Sequence, residues 1–136
     1  MSAVVLDTCA VLWLANGEPM EREALAAVRA AQAVGGALVS PITAWELGTK
    51  TAKGKLELDA EPEAWFERFL ALPGVRLAEL SVRVLVASTR LPGQPPNDPA
   101  DRIIISTARA LNVPVVTRDS RILPYAAAGH ARAVRC

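Results

Sequence analysis

Short runs of β-branched and other apolar residues alternate along the chain with longer segments whose apolar positions recur every three or four residues. The short runs predict buried strands at residues 3–6, 37–39, 75–80 and 113–117, with a fifth as an option at 131–134. The longer segments predict helices at residues 8–15, 20–34, 41–51, 63–72, 82–89 and 99–111. Strands that alternate with helices predict a parallel sheet covered on both faces, which is an α/β fold.

Two proline-containing dipeptides predict where helices begin. Ser40 is expected to cap one helix with Pro41 at its first position, and Asp98 is expected to cap another with Pro99 at its first position. Asp101 then falls at the third position of the second helix. The carboxylate of Asp98 is therefore expected to act mainly as a helix cap.

The composition limits the class of protein. The chain has 136 residues, of which 51% are hydrophobic and 21% charged, and its formal net charge is +1. These values favour one globular domain over residues 1–136, and they argue against intrinsic disorder and against a protein that coats DNA by overall charge. No apolar run reaches the roughly 18 residues that span a bilayer, and the N-terminus has no basic region typical of a signal peptide. We therefore expect a cytoplasmic protein with no membrane partner.

The cysteine and histidine content argues against zinc and thiol chemistry. The chain contains only Cys9, Cys136 and His130, without spacing that suits a zinc site. A Cys–His catalytic pair would have to use His130 with one of the two thiols, and the preferred interpretation of Cys9 is a small buried side chain on a helix. A chain with so few cysteines also fits a reducing compartment.

Four acidic residues stand where the active sites of open α/β sheets form. Asp7 follows the first strand, Asp119 follows the fourth, Glu46 lies within the helix that Ser40 opens, and Asp101 lies in the first turn of the last long helix. Two structural alternatives stay open: a salt bridge from Glu46 to Lys50, and a capping-box role for Asp101. Four crowded carboxylates require a divalent cation to ionise together, and an all-oxygen set favours Mg²⁺ or Mn²⁺.

These residues lie within segments that resemble the PIN-domain nucleases, and most closely the VapC toxins of bacterial and archaeal toxin–antitoxin pairs. The segments are VVLDTCAVLWLANG, SPITAWELGTKTAKGKLEL, NDPADRIIISTARALNVPVVTRDSRI and ILPYAAAGHARAV. The resemblance implies a three-layer α/β fold and a metal-dependent endoribonuclease whose Mg²⁺ or Mn²⁺ is held by Asp7, Glu46, Asp101 and Asp119. It places a hydroxyl near the metal at Thr117, although a strand-ending β-branched residue is an equal interpretation. Asn97 and Ala100 depart from the usual histidine and aromatic of the family.

Basic residues near these acids predict a rim that binds RNA phosphates. They are Lys50, Lys53, Lys55, Arg118 and Arg121. The resemblance further implies two protein partners, a second copy of the chain in a homodimer and a cognate VapB-like antitoxin. Trp13, Trp45 and Trp65 are candidate anchors for such interfaces, with core packing favoured for Trp45.

Other classes of protein fit less well. A dehalogenase-like phosphatase needs a second Asp where Cys9 stands, and a phospho-accepting receiver needs paired acids where Val5 and Leu6 precede Asp7. The remaining alternative is a PIN-like fold that binds protein or RNA without catalysis.

Overall fold

The computed structural model describes residues 2–136, in which five strands alternate with seven helices. The strands are β1 (Val4–Leu6), β2 (Ala37–Val39), β3 (Val75–Leu77), β4 (Val115–Thr117) and β5 (Ala133–Arg135). The helices are α1 (Thr8–Asn16), α2 (Arg22–Ala33), α3 (Ile42–Ala52), α4 (Pro62–Leu70), α5 (Val82–Ser88), α6 (Pro99–Leu111) and α7 (Ile122–Ala127). No helix within these residues is both long and apolar enough to cross a membrane.

All five strands pair in parallel, in the order β3-β2-β1-β4-β5. Val5 of β1 lies opposite Leu38 of β2 on one side and opposite Val115 of β4 on the other. The order of strands reverses at β1, because β2 and β3 continue to one side of it and β4 and β5 to the other. Ligands of open α/β sheets bind at such a switch point, at the carboxyl ends of the strands.

Helices cover both faces of the sheet, so the α/β, three-layer architecture expected from the sequence is confirmed. On one face Leu6 packs with apolar side chains of α1, α2 and α4, among them Val28 and Phe66. On the other face Val5 packs with Ile104 and Ala108 of α6. Successive strand residues point to opposite faces, and β1 and β4 are buried on both, which explains their apolar runs. The outer strands β3 and β5 each carry an exposed arginine, Arg76 and Arg135.

Several boundaries differ from the sequence-based expectations. Strand β3 ends at Leu77, β4 begins at Val115, and β5 begins two residues later than expected. Helix α7 was not predicted, because a segment of six residues that contains Pro124 gives little helical signal. Pro124 lies in the first turn, where the missing amide needs no partner within the helix.

The start of α3 also differs by one residue from the prediction. Pro41 occupies the cap position instead of the first helical position, and the helix begins at Ile42. The hydroxyl of Ser40 still accepts a hydrogen bond from the amide of Ile42, at 3.2 Å. The chain around Ser40 therefore enters α3 in a tight turn, which sets the position of the acid that follows in the second turn.

Candidate active site

The expected acids lie at the carboxyl edge of the sheet, around the switch point between β1 and β4. Asp7 directly follows β1, and Asp119 comes two residues after β4. Glu46 lies on α3, which follows β2, and Asp101 lies in the first turn of α6. Two threonines and one arginine contact these residues: Thr8 contacts Glu46, Thr117 contacts Asp7 and the Asp119 amide, and Arg121 contacts Asp119 and Asp101.

Asp7 is a buried carboxylate that also caps a helix. Its side chain is at the N-cap of α1, where Oδ1 accepts a hydrogen bond from the amide of Ala10 at 2.8 Å. Its Oδ2 accepts a hydrogen bond from the hydroxyl of Thr117. Burial raises the pKa of Asp7 to about 6, with smaller contributions in the same direction from the charges of Asp119 and Glu46. The carboxylate is thus firmly oriented, but it forms no ion pair with a basic side chain in residues 2–136.

Thr117 connects two of the acids. Its hydroxyl donates to Asp7 and accepts a hydrogen bond from the amide of Asp119, at 2.9 Å. The side chain is fully buried at the last position of β4. Thr117 therefore ends a strand and also places its hydroxyl between Asp7 and Asp119, while its role beside a metal ion stays a prediction.

Glu46 is held from α1 and not by its own helix. Its Oε1 accepts a hydrogen bond from the hydroxyl of Thr8 at 2.5 Å, and the Thr8 hydroxyl lies 3.2 Å from that of Thr43. Lys50 makes no ion pair with Glu46 within the described residues. The salt-bridge alternative for Glu46 is therefore wrong. The two threonines attach α3 to the start of α1, immediately beside Asp7.

Asp101 is the acid with the poorest hydrogen bonding. It is only 6% exposed, and its Oδ2 is the one buried side-chain oxygen or nitrogen in residues 2–136 with no hydrogen-bond partner. Burial raises the pKa of Asp101 to about 7, and the charges of Asp98 and Asp119 act in the same direction. A capping-box role gains no support, because this carboxylate accepts no hydrogen bond in the described part of the chain.

Asp98 occupies the N-cap position of α6 but does not cap it through its side chain. Its backbone is extended, as an N-cap requires, yet its carboxylate accepts no hydrogen bond from the first turn. The expectation of a capping carboxylate is therefore wrong. The reason is geometric: the backbone of Asp98 has ψ near 123°, whereas the capping residues Asp7 and Ser81 have ψ of 174° and 163°.

Asp119 is paired with a cation. The Arg121 guanidinium donates to it twice, from Nε to Oδ1 at 3.2 Å and from Nη2 to Oδ2 at 3.1 Å, and the Arg121 amide donates to Oδ1 at 2.7 Å. Partial burial raises the pKa of Asp119, but the hydrogen bonds and charge of Arg121 outweigh it and hold the pKa below its usual value. Nη2 of Arg121 also lies 3.4 Å from Oδ2 of Asp101.

The carboxylate oxygens of the site have the chemistry that binds a divalent cation, although they do not stand at ligand spacing. The site offers four carboxylates, an orphaned buried oxygen on Asp101, and two raised pKa values, and a bound cation would relieve all of these. No group of three His, Cys, Asp or Glu side chains in residues 2–136 stands at the spacing of a metal site. Thr8, Thr117 and Arg121 contact oxygens of Glu46, Asp7 and Asp119, whereas Oδ2 of Asp101 has no hydrogen-bond partner in residues 2–136.

The predicted basic rim divides into two groups. Lys50 lies on α3, and Lys53 and Lys55 are exposed just beyond its end. Arg118 instead stacks on Trp13, 2.9 Å from the ring centroid, and donates to the carbonyl oxygen of Cys136 at 2.7 Å. Its contacts hold the end of β4 against α1 and the C-terminal residue.

The three tryptophans have different environments. Trp65 is buried and stacks on Phe69, with the ring centroids 5.8 Å apart, and Trp13 is half-buried beneath Arg118. Trp45 is 61% exposed, so the expectation that it packs in the core is wrong. It precedes Glu46 on α3, so the two side chains are about 100° apart around the helix axis.

Neither thiol is poised for catalysis. Burial raises the pKa of both Cys9 and Cys136, and neither sulfur hydrogen-bonds to His130 within the described residues. His130 packs against Tyr125, with 5.0 Å between the ring centroids. Cys9 lies on a helix as expected, but its side chain is half-buried and not fully buried.

Sequence reasoning missed the roles of Thr8, Thr43 and Arg121 in the site. Thr8 carried a signal, since a hydroxyl next to a strand-end acid lies at the same edge of the sheet. Thr43 carried none, because its partner is 35 positions away along the chain. Arg121 was expected to contact RNA, and the structure places it between Asp119 and Asp101.

The structure is thus an α/β protein with four acidic side chains around the switch point of its parallel sheet. Residues 4–128 match the family model of the PIN domain. The chain therefore belongs to the PIN-domain family.

Individual relatives agree with this assignment. The chain is 29% identical over 122 residues to Ribonuclease VapC22 of Mycobacterium tuberculosis (strain ATCC 25618 / H37Rv), covering 90% of this chain and 91% of the relative. Its fold is similar to that of VapBC2 from Rickettsia felis bound to a DNA fragment from their promoter, with a TM-score of 0.65, 15% identity and 98% of each chain covered. A toxin–antitoxin complex from Klebsiella pneumoniae is similar with a TM-score of 0.57, 22% identity and 88% of each chain covered.

Proposed function

We propose that the protein is a divalent-metal-dependent endoribonuclease of the VapC type, the toxin of a toxin–antitoxin pair. The observation that carries this proposal is the meeting of the four acids at the switch point. Thr8, the residue after Asp7, donates to Glu46, and Thr117 contacts both Asp7 and the amide of Asp119. Arg121 lies between Asp119 and Asp101. The similarity to a curated ribonuclease supports RNA as the substrate.

The residues that would hold Mg²⁺ or Mn²⁺ are Asp7, Glu46, Asp101 and Asp119. When bound, such an ion activates water and neutralises charge on the phosphodiester. The chain itself fixes the carboxylates: Thr117 and the Ala10 amide orient Asp7, and Thr8 orients Glu46. Asp101 contributes a buried oxygen that no protein group satisfies.

The substrate side of the proposal uses the lysines at the end of α3. Lys50 is four residues, one helical turn, after Glu46, and Lys53 and Lys55 continue in the same direction. Ammonium groups bind phosphates as point charges, so they would follow the RNA backbone without reading its sequence. Arg118 and Arg121 complete the proposed rim. Arg121 can contact RNA only when its guanidinium is no longer paired with Asp101 and Asp119.

The decisive experiment is cleavage of RNA by the purified protein with added Mn²⁺ or Mg²⁺, with and without excess EDTA. Cleavage that requires the metal and is lost in Asp119→Asn supports the proposal. Asp59→Asn is the matched control, because Asp59 pairs with Arg68 on the surface and should retain cleavage. Cleavage that persists in EDTA, or that survives the substitution of all four acids, contradicts it.

A non-catalytic binding module is the alternative, favoured by the lack of ready-made ligand spacing among the acids in residues 2–136. The two functions differ in one measurement. A binding module would bind RNA or a partner protein equally well with and without divalent ions, and would leave the RNA intact at any metal concentration.

The proposal includes two protein partners, a VapB-like antitoxin and a second copy of the chain. Large apolar side chains that a partner would cover are exposed, with Trp45 at 61% and Val82 at 78%. Light scattering on the protein and on its Trp45→Ser variant measures the dimer, and co-expression with a candidate antitoxin tests inhibition. We expect the protein to act in the cytoplasm, where both free cysteines would stay reduced.

A further inference from the structure

We propose that Arg121 is an internal cation that occupies the divalent-ion site and has to be displaced when a metal ion binds. This inference rests on the proposed function, because it assumes that Asp101 and Asp119 are metal ligands. It assigns Arg121 a role that differs from a permanent contact to RNA: the same side chain competes with the metal for two of its carboxylates.

The geometry that supports this role is a guanidinium shared by two acids. Nε and Nη2 bind the two oxygens of Asp119 at 3.2 and 3.1 Å, which is a bidentate pair. The same Nη2 lies 3.4 Å from Oδ2 of Asp101. One positive charge therefore lies between two carboxylates from different elements of the fold. Asp119 follows β4, and Asp101 lies in the first turn of α6.

The pairing with Asp101 is incomplete. Its Oδ2 is buried and has no hydrogen-bond partner in residues 2–136, even with the guanidinium 3.4 Å away. Arg121 thus supplies charge to this oxygen without a hydrogen bond. A divalent ion would supply both a second positive charge and a direct bond to the oxygen, so it has an advantage that the arginine lacks.

The Arg121 side chain is free to move without disturbing the fold. It is 61% exposed, and it lies in the turn just before α7. The amide of Arg121 donates to Asp119 independently of the side chain, at 2.7 Å, and Thr117 accepts from the amide of Asp119 at 2.9 Å. Asp119 therefore keeps its position when the guanidinium leaves, and the site does not need to be rebuilt.

The effect on charge is mutual. The guanidinium offsets the negative charge of Asp119 and lies beside that of Asp101, while its hydrogen bonds to Asp119 and the two carboxylate charges hold the guanidinium in place. Without the guanidinium, the two carboxylates would repel each other more strongly in the metal-free protein. Removing it should therefore weaken the metal-free fold and strengthen metal binding at the same time.

The test is Mn²⁺ binding by calorimetry to RNA-free protein, comparing wild type with Arg121→Gln. We expect the variant to bind Mn²⁺ about tenfold more tightly, because no bidentate ion pair has to be broken first. Lys50→Gln is the matched control: it removes one positive charge from the same edge without touching Asp119 or Asp101, and should tighten binding less than about twofold.

A second measurement uses the wild-type protein and no variant. The Nε–H signal of Arg121, followed by NMR during titration with diamagnetic Mg²⁺, should move from a hydrogen-bonded to a solvent-exposed position. In parallel, metal-free Arg121→Gln should melt below wild type, and the gap should close at saturating Mn²⁺.

The outcomes separate this inference from the proposed function. Equal or weaker Mn²⁺ affinity in Arg121→Gln, or an Nε–H signal that does not respond to Mg²⁺, overturns the displacement while leaving the metal site intact. If neither wild type nor Arg121→Gln binds Mn²⁺ at millimolar concentration, both the proposed metal site and the inference fail.

Discussion

The candidate site has two halves that stabilise their carboxylates differently. In the hydroxyl-bonded half, Asp7 and Glu46 accept hydrogen bonds from Thr117 and Thr8 and from one backbone amide. In the arginine-bonded half, which contains Asp98, Asp101, Asp119 and Arg121, Arg121 pairs with Asp119 and Asp101. Burial raises the pKa of Asp7 to about 6, whereas Arg121 holds the pKa of Asp119 below its usual value.

Hydroxyl and amide donors stabilise a carboxylate differently from a guanidinium. Neutral hydroxyls and amides orient a carboxylate but leave its charge to be balanced by something else. A guanidinium balances charge, but here it can exchange with another cation because its side chain is exposed. The hydroxyl-bonded half is therefore set by folding, and the arginine-bonded half is where the ionic state of the site can change.

The largest expected effect is a loss of RNA cleavage when an acid of either half is substituted. The melting temperatures of the same variants should then distinguish the two halves. Asp7→Asn and Asp119→Asn should each lower RNA cleavage by about a hundredfold or more, since even changes to residues that support a metal ligand cost 10–100-fold. Metal-free Asp7→Asn should melt at or above wild type at neutral pH, because Asn can still accept the Ala10 amide and a buried charge is removed. Asp119→Asn should melt below wild type, because the charge partner of Arg121 is lost.

Thermal denaturation in EDTA, with cleavage measured on the same preparations, checks this pair. Asp7→Ala is the control for the cap: it should lose about 0.5–2 kcal/mol because no oxygen remains for the Ala10 amide. The opposite order of melting temperatures in the two Asn variants would contradict the division of the site.

The next effect is on pH dependence. The pKa of Asp7 is raised from 3.8 to about 6, and that of Asp101 from 3.8 to about 7. Between these limits the folded metal-free protein binds more protons than the unfolded chain, so its free energy of unfolding falls as pH rises. The stabilisation is complete below pH 3.8 and is lost through about pH 6 to 7; for Asp7 alone it is at most about 3 kcal/mol.

Asp119 has the opposite sign, since its lowered pKa contributes stability that is lost as pH falls. Urea denaturation in EDTA between pH 5 and 7.5 measures the contributions of Asp7 and Asp101, because that of Asp119 is already complete above its unfolded pKa of 3.8. Asp7→Asn should flatten the lower part of the profile. Saturating Mn²⁺ should reverse the trend, because protons compete with the metal for the same oxygens. A metal-free protein whose stability rises steadily to pH 7.5 would contradict the raised pKa values.

A smaller effect concerns the contact between the halves. Thr117→Val should cost about 1–3 kcal/mol, because it removes the hydroxyl that serves both Asp7 and Asp119. It should also shift the acidic limb of the cleavage pH profile upward, since the Thr117 hydrogen bond lowers the pKa of Asp7. Thr117→Ser should restore both properties. If Val and Ser behave alike, Thr117 acts only by ending the strand.

The smallest expected effect concerns Asp98. Asp98→Ala should change the free energy of unfolding by less than about 0.5 kcal/mol, because its carboxylate makes no cap hydrogen bond. Ser81→Ala is the matched control: Ser81 does cap α5, accepting from the amide of Val84 at 3.1 Å, and its loss should cost about 1 kcal/mol. Equal losses in the two variants would contradict the absence of a side-chain cap at Asp98.

The elements of the fold were largely predictable from local pattern. Strand β2 has the expected bounds, and α6 begins at Pro99 as expected. Both predictions depend on signals that span only a few neighbouring residues, an apolar run and an Asp-Pro dipeptide. Helix α7 and the cap at α6 were not predicted correctly. A short helix with Pro124 gives little periodic signal, and a cap hydrogen bond depends on a ψ angle that residue type does not fix.

By itself, the sequence determined which acids follow strands and begin helices, because that order is local along the chain. Only the tertiary structure decided what each acid contacts. Thr117 and Asp7 are 110 positions apart, and Thr8 and Glu46 are 38 apart, so no spacing could pair them. Nor could composition say that Arg121 pairs with Asp119 while Asp7 makes no ion pair among the residues that the structure describes. Burial and charge pairing arise from the packing of separate elements, and these set the pKa values on which the chemistry of the site depends.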